Sequence, residues 1–437
     1  MALSRFFGRG RDDSPPPSEP DQPEEADDIV VGDVEPEQST ARTWHERALA
    51  VIPGGASTGS KRTTVLYGEA YSDEPTHFSS ARGALIADVD GVEYLDCTMA
   101  LGSVALGYAE PRVTQAVIDA ASQGNVSALS SWREVELAER LCAIIPCAER
   151  VQFMKSGADA TSAAVRLARA YTGRDRVIAC GYFGWHDWCS DSPGVPAGVQ
   201  GNVTRVPFDD VLALEQAASL AGASLAAIVL EPVIERLPSI AWLERARALC
   251  DAAGAVLVFD EIKTGFRVAP GGYQEVCGIT PDLASFGKAL ANGYPLAAVV
   301  GKQAIVDGAR GTWISSTLAS ESTSLAAALA VLDWHDEVDI CATLAETGVE
   351  MRAAVERAVV ASGIEGVTFG GIDPMWRMYW SDPARESRFV AHAMTQGVLF
   401  KRGAYNYAAI AHDEAALRDI ETAASAAMVS LLEEESI

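Results

Sequence analysis

The chain has 437 residues, of which 49% are apolar, and its 60 acidic and 34 basic side chains give a formal net charge of −26. This length predicts two or three domains with a large buried core. The excess of acidic residues argues against non-specific binding to nucleic acids or anionic membranes, because both require basic patches.

The eight cysteines indicate neither a disulfide framework nor a zinc site, because they form no C-x-x-C pair and no cluster with histidine. We find no run of about 18 uncharged apolar residues that could span a membrane. The opening MALSRFFGRGR lacks the apolar centre of a secretory signal. We therefore expect reduced thiols, no metal site, no membrane segment and a cytoplasmic location.

An acidic, proline-rich segment begins the chain. Residues 11–37 contain eleven acidic side chains against the single base Arg11, and almost nothing apolar. Such a segment buries too little surface to offset the entropy lost on ordering. We predict a disordered tail over residues 1–40, with either a solubilising or a partner-binding role.

A short helix and a β-hairpin are the first elements expected after the tail. The helix covers residues 44–50 and ends before the Pro-Gly-Gly at 53–55. In ALIADVDGVEYLD (84–96), two alternating apolar runs flank Asp90 and Gly91, a pair of residues that favours a tight hairpin turn.

From about residue 111, alanine-rich helical segments alternate with short, nearly continuous apolar runs. Strands buried on both faces have this pattern, and the helices fit crossover connections. The runs are VQFM (151–154), RVIAC (176–180), AAIVL (226–230), AVLVF (255–259) and LAAVV (296–300). We predict a large α/β domain with a mostly parallel sheet over residues 101–325. Residues 41–100 and 326–437 form a smaller α+β domain, in which VTFGG and MWRMYW are expected strands.

Ligands of open α/β sheets collect at the carboxyl ends of the strands, so the residues after each run are candidates for chemistry. After VQFM, a loop of small residues at Ser156, Gly157 and Ala158 leads into a helix. The free N–H groups of such a helix start suit a phosphate, although Ser-Gly is also a common helix cap. After RVIAC, an aromatic cluster around Tyr182 either stacks on a planar ligand or packs in the core.

Two carboxylates, Asp260 and Glu261, end the AVLVF run, and Lys288 follows 28 residues later among apolar and small residues. A carboxylate at a buried strand end requires a cationic partner. An apolar pocket would lower the pKa of a lysine and make its amine nucleophilic. A phosphate loop, an aromatic plate, an aspartate and such a lysine together match the needs of pyridoxal phosphate (PLP).

These residues resemble the class III (fold type I) PLP-dependent aminotransferases, in particular the branch containing glutamate-1-semialdehyde 2,1-aminomutase. The resemblance extends from about residue 42 to 412. It is carried by VLVFDEIKTGFRVAPGG (256–272) with TPDLASFGKALANGYP (280–295), and by residues 151–175 and the IPGG at 52–55.

The resemblance implies a role for each candidate residue. Lys288 would form the Schiff base with PLP, and Asp260 would hold the pyridine nitrogen. Ile262 and Tyr182 would lie on opposite faces of the ring, and the loop formed by Ser156, Gly157 and Ala158 would bind the phosphate. Thr317 would reach the phosphate of the neighbouring subunit. It follows that the resemblance implies a homodimer with shared active sites.

The departures from the family pattern concern the substrate. Phe183 replaces a common histidine, and Arg236 stands where the aminomutase has an asparagine. The stretches 319–322 and 401–412 also differ from the aminomutase. Four cations are candidates for a substrate anion, namely Lys61, Arg62, Arg377 and Arg402.

We therefore expect an aminotransferase that moves an amino group from a small-molecule donor to a carbonyl acceptor in two half-reactions. The alternatives are an intramolecular amino shift, as in the aminomutase, and a non-catalytic scaffold of the same fold. A nucleotide-binding oxidoreductase fits poorly, because no G-x-G-x-x-G follows a strand.

Overall fold

The computed structural model describes residues 41–69 and 74–436. The acidic segment 1–40, which we predicted to be disordered, lies outside the described residues. The model therefore leaves that prediction untested.

The described residues form α-helices in both halves of the chain. Their bounds are α1 Ala41–Val51, α2 Thr63–Leu66, α3 Met99–Gly102, α4 Pro111–Ser122, α5 Trp132–Ile144, α6 Gly157–Thr172, α7 Ala197–Gln200, α8 Val211–Ala221, α9 Ile240–Ala253, α10 Tyr273–Cys277, α11 Gln303–Val306, α12 Ala309–Thr312, α13 Ser322–Glu337, α14 Ile340–Ser362, α15 Pro383–Thr395 and α16 Glu414–Glu435. Short 3₁₀ segments cover Pro53–Gly55, Gly59–Lys61, Asp187–Cys189, Gly222–Ser224 and Lys288–Ala291.

The strands form three sheets. Their bounds are β1 Phe78–Arg82, β2 Leu85–Asp88, β3 Glu93–Asp96, β4 Arg150–Met154, β5 Arg176–Cys180, β6 Val203–Arg205, β7 Leu225–Leu230, β8 Val256–Asp260, β9 Leu283–Phe286, β10 Ala297–Gly301, β11 Val367–Ile372, β12 Met375–Trp380, β13 Val398–Leu399 and β14 Asn406–Tyr407. The orders are β1-β2-β3-β13, β4-β10-β9-β8-β7-β5-β6 and β11-β12-β14.

The seven-stranded sheet is mostly parallel, as the apolar runs predicted. The pairs β6-β5, β5-β7, β7-β8 and β8-β9 are parallel, whereas β10 runs antiparallel to both β4 and β9. Two reversals leave β4 pointing the same way as β9. Consequently the carboxyl ends of β4, β5, β7, β8 and β9 share one edge of the sheet.

Both faces of this sheet are buried, which explains the continuous apolar runs. Along β7, Ala227 and Val229 pack in one core cluster while Ile228 and Leu230 pack in the other. Helix α6 packs against β7, β9 and β10. Helix α8 packs against β5, and α9 packs against β7 and β8. The sheet is thus the middle layer of a three-layer α/β arrangement.

The predicted hairpin is present, and it belongs to a second sheet. β2 and β3 pair antiparallel around a turn in which Gly91 has a φ of 82°. Val398 of β13 then pairs in parallel with Leu95 of β3, which joins the two ends of the described chain. This pairing supports a small domain built from N- and C-terminal segments, although the domain boundaries stay a prediction.

Two strands of the large sheet were not predicted from the sequence. β6 has only three residues, and β9 (LASF) has no β-branched residue, so each lacks a signal that marks a short apolar run as a strand. β9 matters most for the site, because it leads directly to Lys288.

The described residues contain neither a membrane-spanning helix nor a metal-binding cluster. No helix there combines the length and apolarity that crossing a bilayer requires. No group of three or more His, Cys, Asp or Glu side chains in the same part of the chain could hold a metal ion.

Candidate active site

A cavity of about 440 Å³ opens at the shared carboxyl edge of the large sheet. Its predicted site residues lie up to 132 positions apart in the sequence, and they meet because they lie at or just after the ends of strands of that sheet. The predicted site residues on its wall are Ser156, Gly157, Ala158, Tyr182, Asp260, Ile262 and Lys288.

Lys288 begins the 3₁₀ turn after β9 and has a φ of 47°. This left-handed conformation costs a residue with a side chain about 1–2 kcal/mol, and such strain is found most often at functional sites. Burial and the nearby ammonium of Lys263 lower the pKa of Lys288 to about 8. The amine is therefore much more often neutral at physiological pH than that of an ordinary lysine.

Asp260 is the last residue of β8 and is only 5% exposed. Its Oδ1 accepts a hydrogen bond from the backbone N–H of Ile262 at 3.0 Å. Burial, followed by repulsion from the Glu231 carboxylate, raises the pKa of Asp260. A cation placed beside Asp260 in the cavity would relieve this cost of ionisation.

Glu261 serves a structural role, which sequence reasoning did not distinguish from that of Asp260. Successive residues at a strand end point to opposite sides. Glu261 accepts hydrogen bonds from the backbone N–H groups of Tyr273 at 2.8 Å and Gln274 at 3.0 Å, and from the hydroxyl of Thr264. It thereby holds the start of α10, away from the cavity.

The small-residue loop after β4 is the N-terminus of α6. Ser156 caps the helix, because its hydroxyl accepts from the N–H of Asp159 at 3.2 Å while the Asp159 carboxylate accepts from the N–H of Ser156 at 3.0 Å. Gly157 and Ala158 are the first two helical residues, so their N–H groups have no acceptor within the helix. The helix dipole adds partial positive charge there, which suits an anion.

Tyr182 lies at the mouth of the cavity, whereas its neighbour Phe183 is in the core. The side chain of Tyr182 is 77% exposed, and the Phe183 ring packs against that of Trp188 at 5.4 Å. A Cβ on Gly184 would lie 2.5 Å from the Cβ of Ala158, so the aromatic loop is pressed against the start of α6. Phe183 therefore packs in the core, whereas the stacking role of Tyr182 stays a prediction.

Sequence reasoning missed a buried ion pair on the cavity wall. The ammonium of Lys263 pairs with the carboxylate of Glu231, which is 3% exposed. The other oxygen of Glu231 accepts from the backbone N–H of Tyr182 at 2.5 Å. The available signal was that Glu231 directly ends the buried run of β7, just as Asp260 ends β8.

Thr317 does not reach this cavity within the single chain. It is exposed and lines a different cavity of about 440 Å³, together with residues 123–133.

The four predicted cations also lie outside the Lys288 cavity. Lys61 lines a third cavity of about 250 Å³, the side chain of Arg62 packs beside Gly54, and Arg402 donates to the carbonyl of Thr64 at 3.0 Å. Arg377 pairs with Glu235 at 2.6 Å.

The residues of the Lys288 cavity fit PLP. They offer a lysine amine of lowered pKa, a buried carboxylate whose pKa is raised by burial, and the N-terminus of a helix. Gly157, at the start of α6, packs closely against the side chain of Ile262, because a Cβ on Gly157 would lie 3.3 Å from it.

The fold and this cavity define a PLP-dependent enzyme of fold type I. The family model for class-III aminotransferases matches residues 67–407. The chain therefore belongs to the class-III aminotransferase family, and its cofactor is pyridoxal 5'-phosphate.

Three known proteins illustrate the similarity. The 3-aminobutyryl-CoA aminotransferase of Cloacimonas acidaminovorans (strain Evry) is 34% identical over 335 residues, which are 75% of this chain and 80% of that protein. The glutamate-1-semialdehyde 2,1-aminomutase of Methanothermobacter thermautotrophicus (strain Delta H) is 37% identical over 278 residues, 60% of this chain and 64% of that protein. The structure of the Sphingopyxis sp. MTA144 FumI protein with PLP has a TM-score of 0.86 at 29% identity, and covers 91% of this chain and 97% of that one.

Proposed function

We propose that this aminotransferase moves an amino group between two separate small molecules, in two half-reactions at the Lys288 cavity. The observation that carries the proposal is the meeting of Lys288, Asp260 and the start of α6 on one cavity wall. Bound PLP supplies an electron sink, which lets a weak carbon acid lose its proton.

Lys288 is the residue we assign to cofactor attachment and proton transfer. With a pKa near 8, about one in ten of its amines is neutral at pH 7, against fewer than one in a thousand for an ordinary lysine. A neutral amine can take a proton from a substrate carbon, and the resulting ammonium can return it to a neighbouring atom.

Asp260 and the α6 start are assigned to holding the cofactor at its two ends. A carboxylate at the end of β8 favours a proton on the ring nitrogen, because the buried charge of Asp260 then has a partner. The N–H groups of Gly157 and Ala158 suit the phosphate. Ile262 and Tyr182 line the space between these ends and would enclose the ring.

We further propose that the enzyme works as a homodimer in which Thr317 completes the partner's site. The support is that Thr317 is exposed, lies outside its own chain's Lys288 cavity, and adjoins a loop with large exposed apolar side chains. Leu129 on this loop is 82% exposed, and Trp132 at the start of α5 is 61% exposed. Surfaces of this kind are typical of protein interfaces.

We also propose a cytoplasmic location, because the eight free thiols favour a reducing compartment.

Arg377 is our first candidate for binding a substrate carboxylate. It is connected to the cavity through Glu235, whose backbone N–H donates to the hydroxyl of Tyr405 at 2.7 Å, and the Tyr405 ring lies 5.1 Å from the ammonium of Lys263. An anionic substrate would compete with Glu235 for the guanidinium. Arg377→Lys should therefore raise the KM for anionic substrates more than it lowers kcat; Lys61, Arg62 and Arg402 become the candidates if KM does not change.

An intramolecular amino shift is the second candidate function, and it is favoured by the 37% identity to an aminomutase. Two departures weigh against it. Arg236 pairs with Asp209 at 2.5 Å, so it does not offer the free amide of an asparagine. Phe183 is buried in the core and offers no polar group.

The test is to mix PLP-loaded protein with single amino donors in the absence of any acceptor. A two-half-reaction enzyme releases about one equivalent of carbonyl product per active site and then stops, with a matching change in the cofactor absorbance. Adding an acceptor restarts it. An aminomutase would convert an amino-aldehyde completely with no added donor or acceptor, and that result would overturn the proposal.

A further inference from the structure

A second lysine, Lys263, lies on the wall of the same cavity as Lys288. We propose that the ammonium of Lys263, held in place by Glu231, is a positioning charge that keeps the amine of Lys288 in its neutral, reactive form. This inference rests on the function proposed above, in which Lys288 is the reactive lysine.

The geometry fixes the Lys263 ammonium at one point of the wall. It pairs with the carboxylate of Glu231 and lies 5.1 Å from the centre of the Tyr405 ring, a distance suited to a cation–π contact. Glu231 is itself held by the backbone N–H of Tyr182 at 2.5 Å. A Cβ on Gly181 would lie 2.6 Å from the Glu231 side chain, so Glu231 has little freedom to swing away.

Lys263 stays charged in this position. Burial by itself lowers its pKa, but the Glu231 carboxylate offsets this, and the net result is a pKa above the ordinary value. Lys288 shows the opposite balance, although it lies in the same cavity. The two amines therefore divide into a permanent cation and a titratable base.

The charges that face Lys288 come from several elements. Besides burial, Lys263 and the buried guanidinium of Arg267 disfavour its protonation, while Glu231 and Asp260 favour it. The Tyr407 ring lies 6.0 Å from its Nζ. Lys263 is the largest of these influences after burial. Removing its charge should therefore raise the pKa of Lys288 and reduce the neutral fraction.

Lys155 provides a matched control, because it is a third lysine on the same wall. Its ammonium donates to Glu321 at 2.8 Å and to the carbonyl of Pro295 at 3.0 Å. It is not among the largest influences on the pKa of Lys288. A change at Lys155 thus perturbs the cavity to a similar extent without removing the proposed charge.

A purely structural role for the ion pair is the competing explanation. Glu231 and Lys263 would then only hold the Tyr182 loop on the sheet, and loss of Lys263 would reduce stability and cofactor binding without altering Lys288. Activity alone does not separate these roles. The chemical reactivity of the Lys288 amine does.

The experiment measures the labelling of Lys288 by acetic anhydride in the protein stripped of PLP, from pH 6 to 11, with peptide quantification by mass spectrometry. Lys263→Gln, Lys263→Arg and Lys155→Gln are compared with the wild type. Circular dichroism and thermal melting check that each variant is folded. If Lys263→Gln does not fold, Lys263→Met, which keeps the apolar stem, replaces it.

We expect Lys263→Gln to reduce the labelling of Lys288 at pH 7 about 10-fold, since one pKa unit changes the neutral fraction tenfold. Lys263→Arg should stay within about 3-fold of the wild type, because it keeps the charge. An unchanged Lys288 in folded Lys263→Gln overturns the inference, as does an equal loss in Lys155→Gln.

The readout is independent of the proposed function. If PLP attaches to a different lysine, the proposed function fails, yet the labelling of Lys288 still reports whether Lys263 controls its protonation.

Discussion

Replacing Asp260 by asparagine should separate the function of this carboxylate from its effect on stability. The side chain keeps its shape and can still accept from the N–H of Ile262, so the end of β8 should remain intact. What is lost is the negative charge of the carboxylate that, in our assignment, pairs with the ring nitrogen of the cofactor. We expect the variant to bind PLP and to lose most of its turnover.

The magnitude follows from the burial of the site. Asp260 is 5% exposed, so its interaction with a cation is weakly screened. Breaking a buried ion pair by removing one partner costs about 3–5 kcal/mol. If that loss falls on the transition state, the rate falls by roughly two to three and a half orders of magnitude.

The stability of the protein without cofactor should change in the opposite direction. Burial raises the pKa of Asp260, so the folded state binds more protons than the unfolded state, and this carboxyl destabilises the fold as pH rises above its unfolded pKa of about 4. Asp260→Asn removes this penalty, so the apoprotein should melt at or above the wild-type temperature at pH 8.

Asp282→Asn is the matched control, because Asp282 is an equally buried carboxylate outside the cavity. Burial raises its pKa, but Lys302, the backbone N–H of Leu257 and Arg247 lower it by more. Asp282 therefore stabilises the fold, and its asparagine variant should melt lower but keep its turnover per folded site.

The assay combines the half-reaction rate with one donor, the PLP content and the melting temperature of each apoprotein. Turnover of Asp260→Asn within about 10-fold of the wild type, at full PLP content, would refute our assignment. A large drop in its apoprotein melting temperature would refute the electrostatic reasoning.

Three further predictions concern neighbouring residues. Tyr182→Ala should weaken PLP binding about 3- to 10-fold by equilibrium titration, since an aromatic pair contributes about 0.5–1.5 kcal/mol, whereas Tyr182→Phe should bind normally; equal affinities would exclude the ring contact. Burial raises the pKa of Glu321, but Lys155 and hydrogen bonds from Ser324 and Thr323 lower it to about 2, so the ionised carboxylate stabilises the fold above pH 4.5 and this contribution is lost as pH falls through 2. Lys155→Gln should accordingly lower the urea midpoint more at pH 7 than near pH 2.5, and a deficit of equal size at both pH values would contradict this. Burial lowers the pKa of His335 to about 4, so the unfolded state takes up the proton before the folded state as pH falls from 6.5 to 4. The wild type therefore loses stability over this range, and His335→Gln should lose less when unfolding is measured as a function of pH.

The best-predicted parts of the site are those that directly follow a long buried strand. Asp260 ends β8 and the Ser156 loop follows β4, so the rule for strand ends predicts that both lie at one edge of the sheet. Lys288 was recognised for a different reason, its charge in apolar surroundings. The strand that positions it, β9, has four residues and carries too little periodicity to be read.

The parts that could not be predicted depend on which side of the chain a group faces. Asp260 and Glu261 are adjacent and chemically alike, yet one lines the cavity and the other caps α10. The pairing of Glu231 with Lys263 joins residues 32 positions apart on separate loops. Neither spacing nor residue type determines such a contact without the register of β7 against β8.

The substrate cations were the least predictable, because a surface arginine and a ligand-binding arginine share the same sequence signal. Arg377 is connected to the cavity through Glu235 and Tyr405, two residues that are 170 positions apart in the sequence. The role we propose for Thr317 requires a second copy of the chain. A single sequence contains no pattern that specifies either arrangement.

The most direct test of our account is to locate the lysine that carries the cofactor. PLP-loaded protein is reduced with borohydride, digested and mapped by mass spectrometry, with Lys288→Ala treated in the same way. We predict that the pyridoxyl group lies on Lys288 in the wild type and that the variant retains none. Attachment to Lys263 or Lys155, or an undiminished adduct in Lys288→Ala, would contradict the assignment on which the proposed mechanism depends.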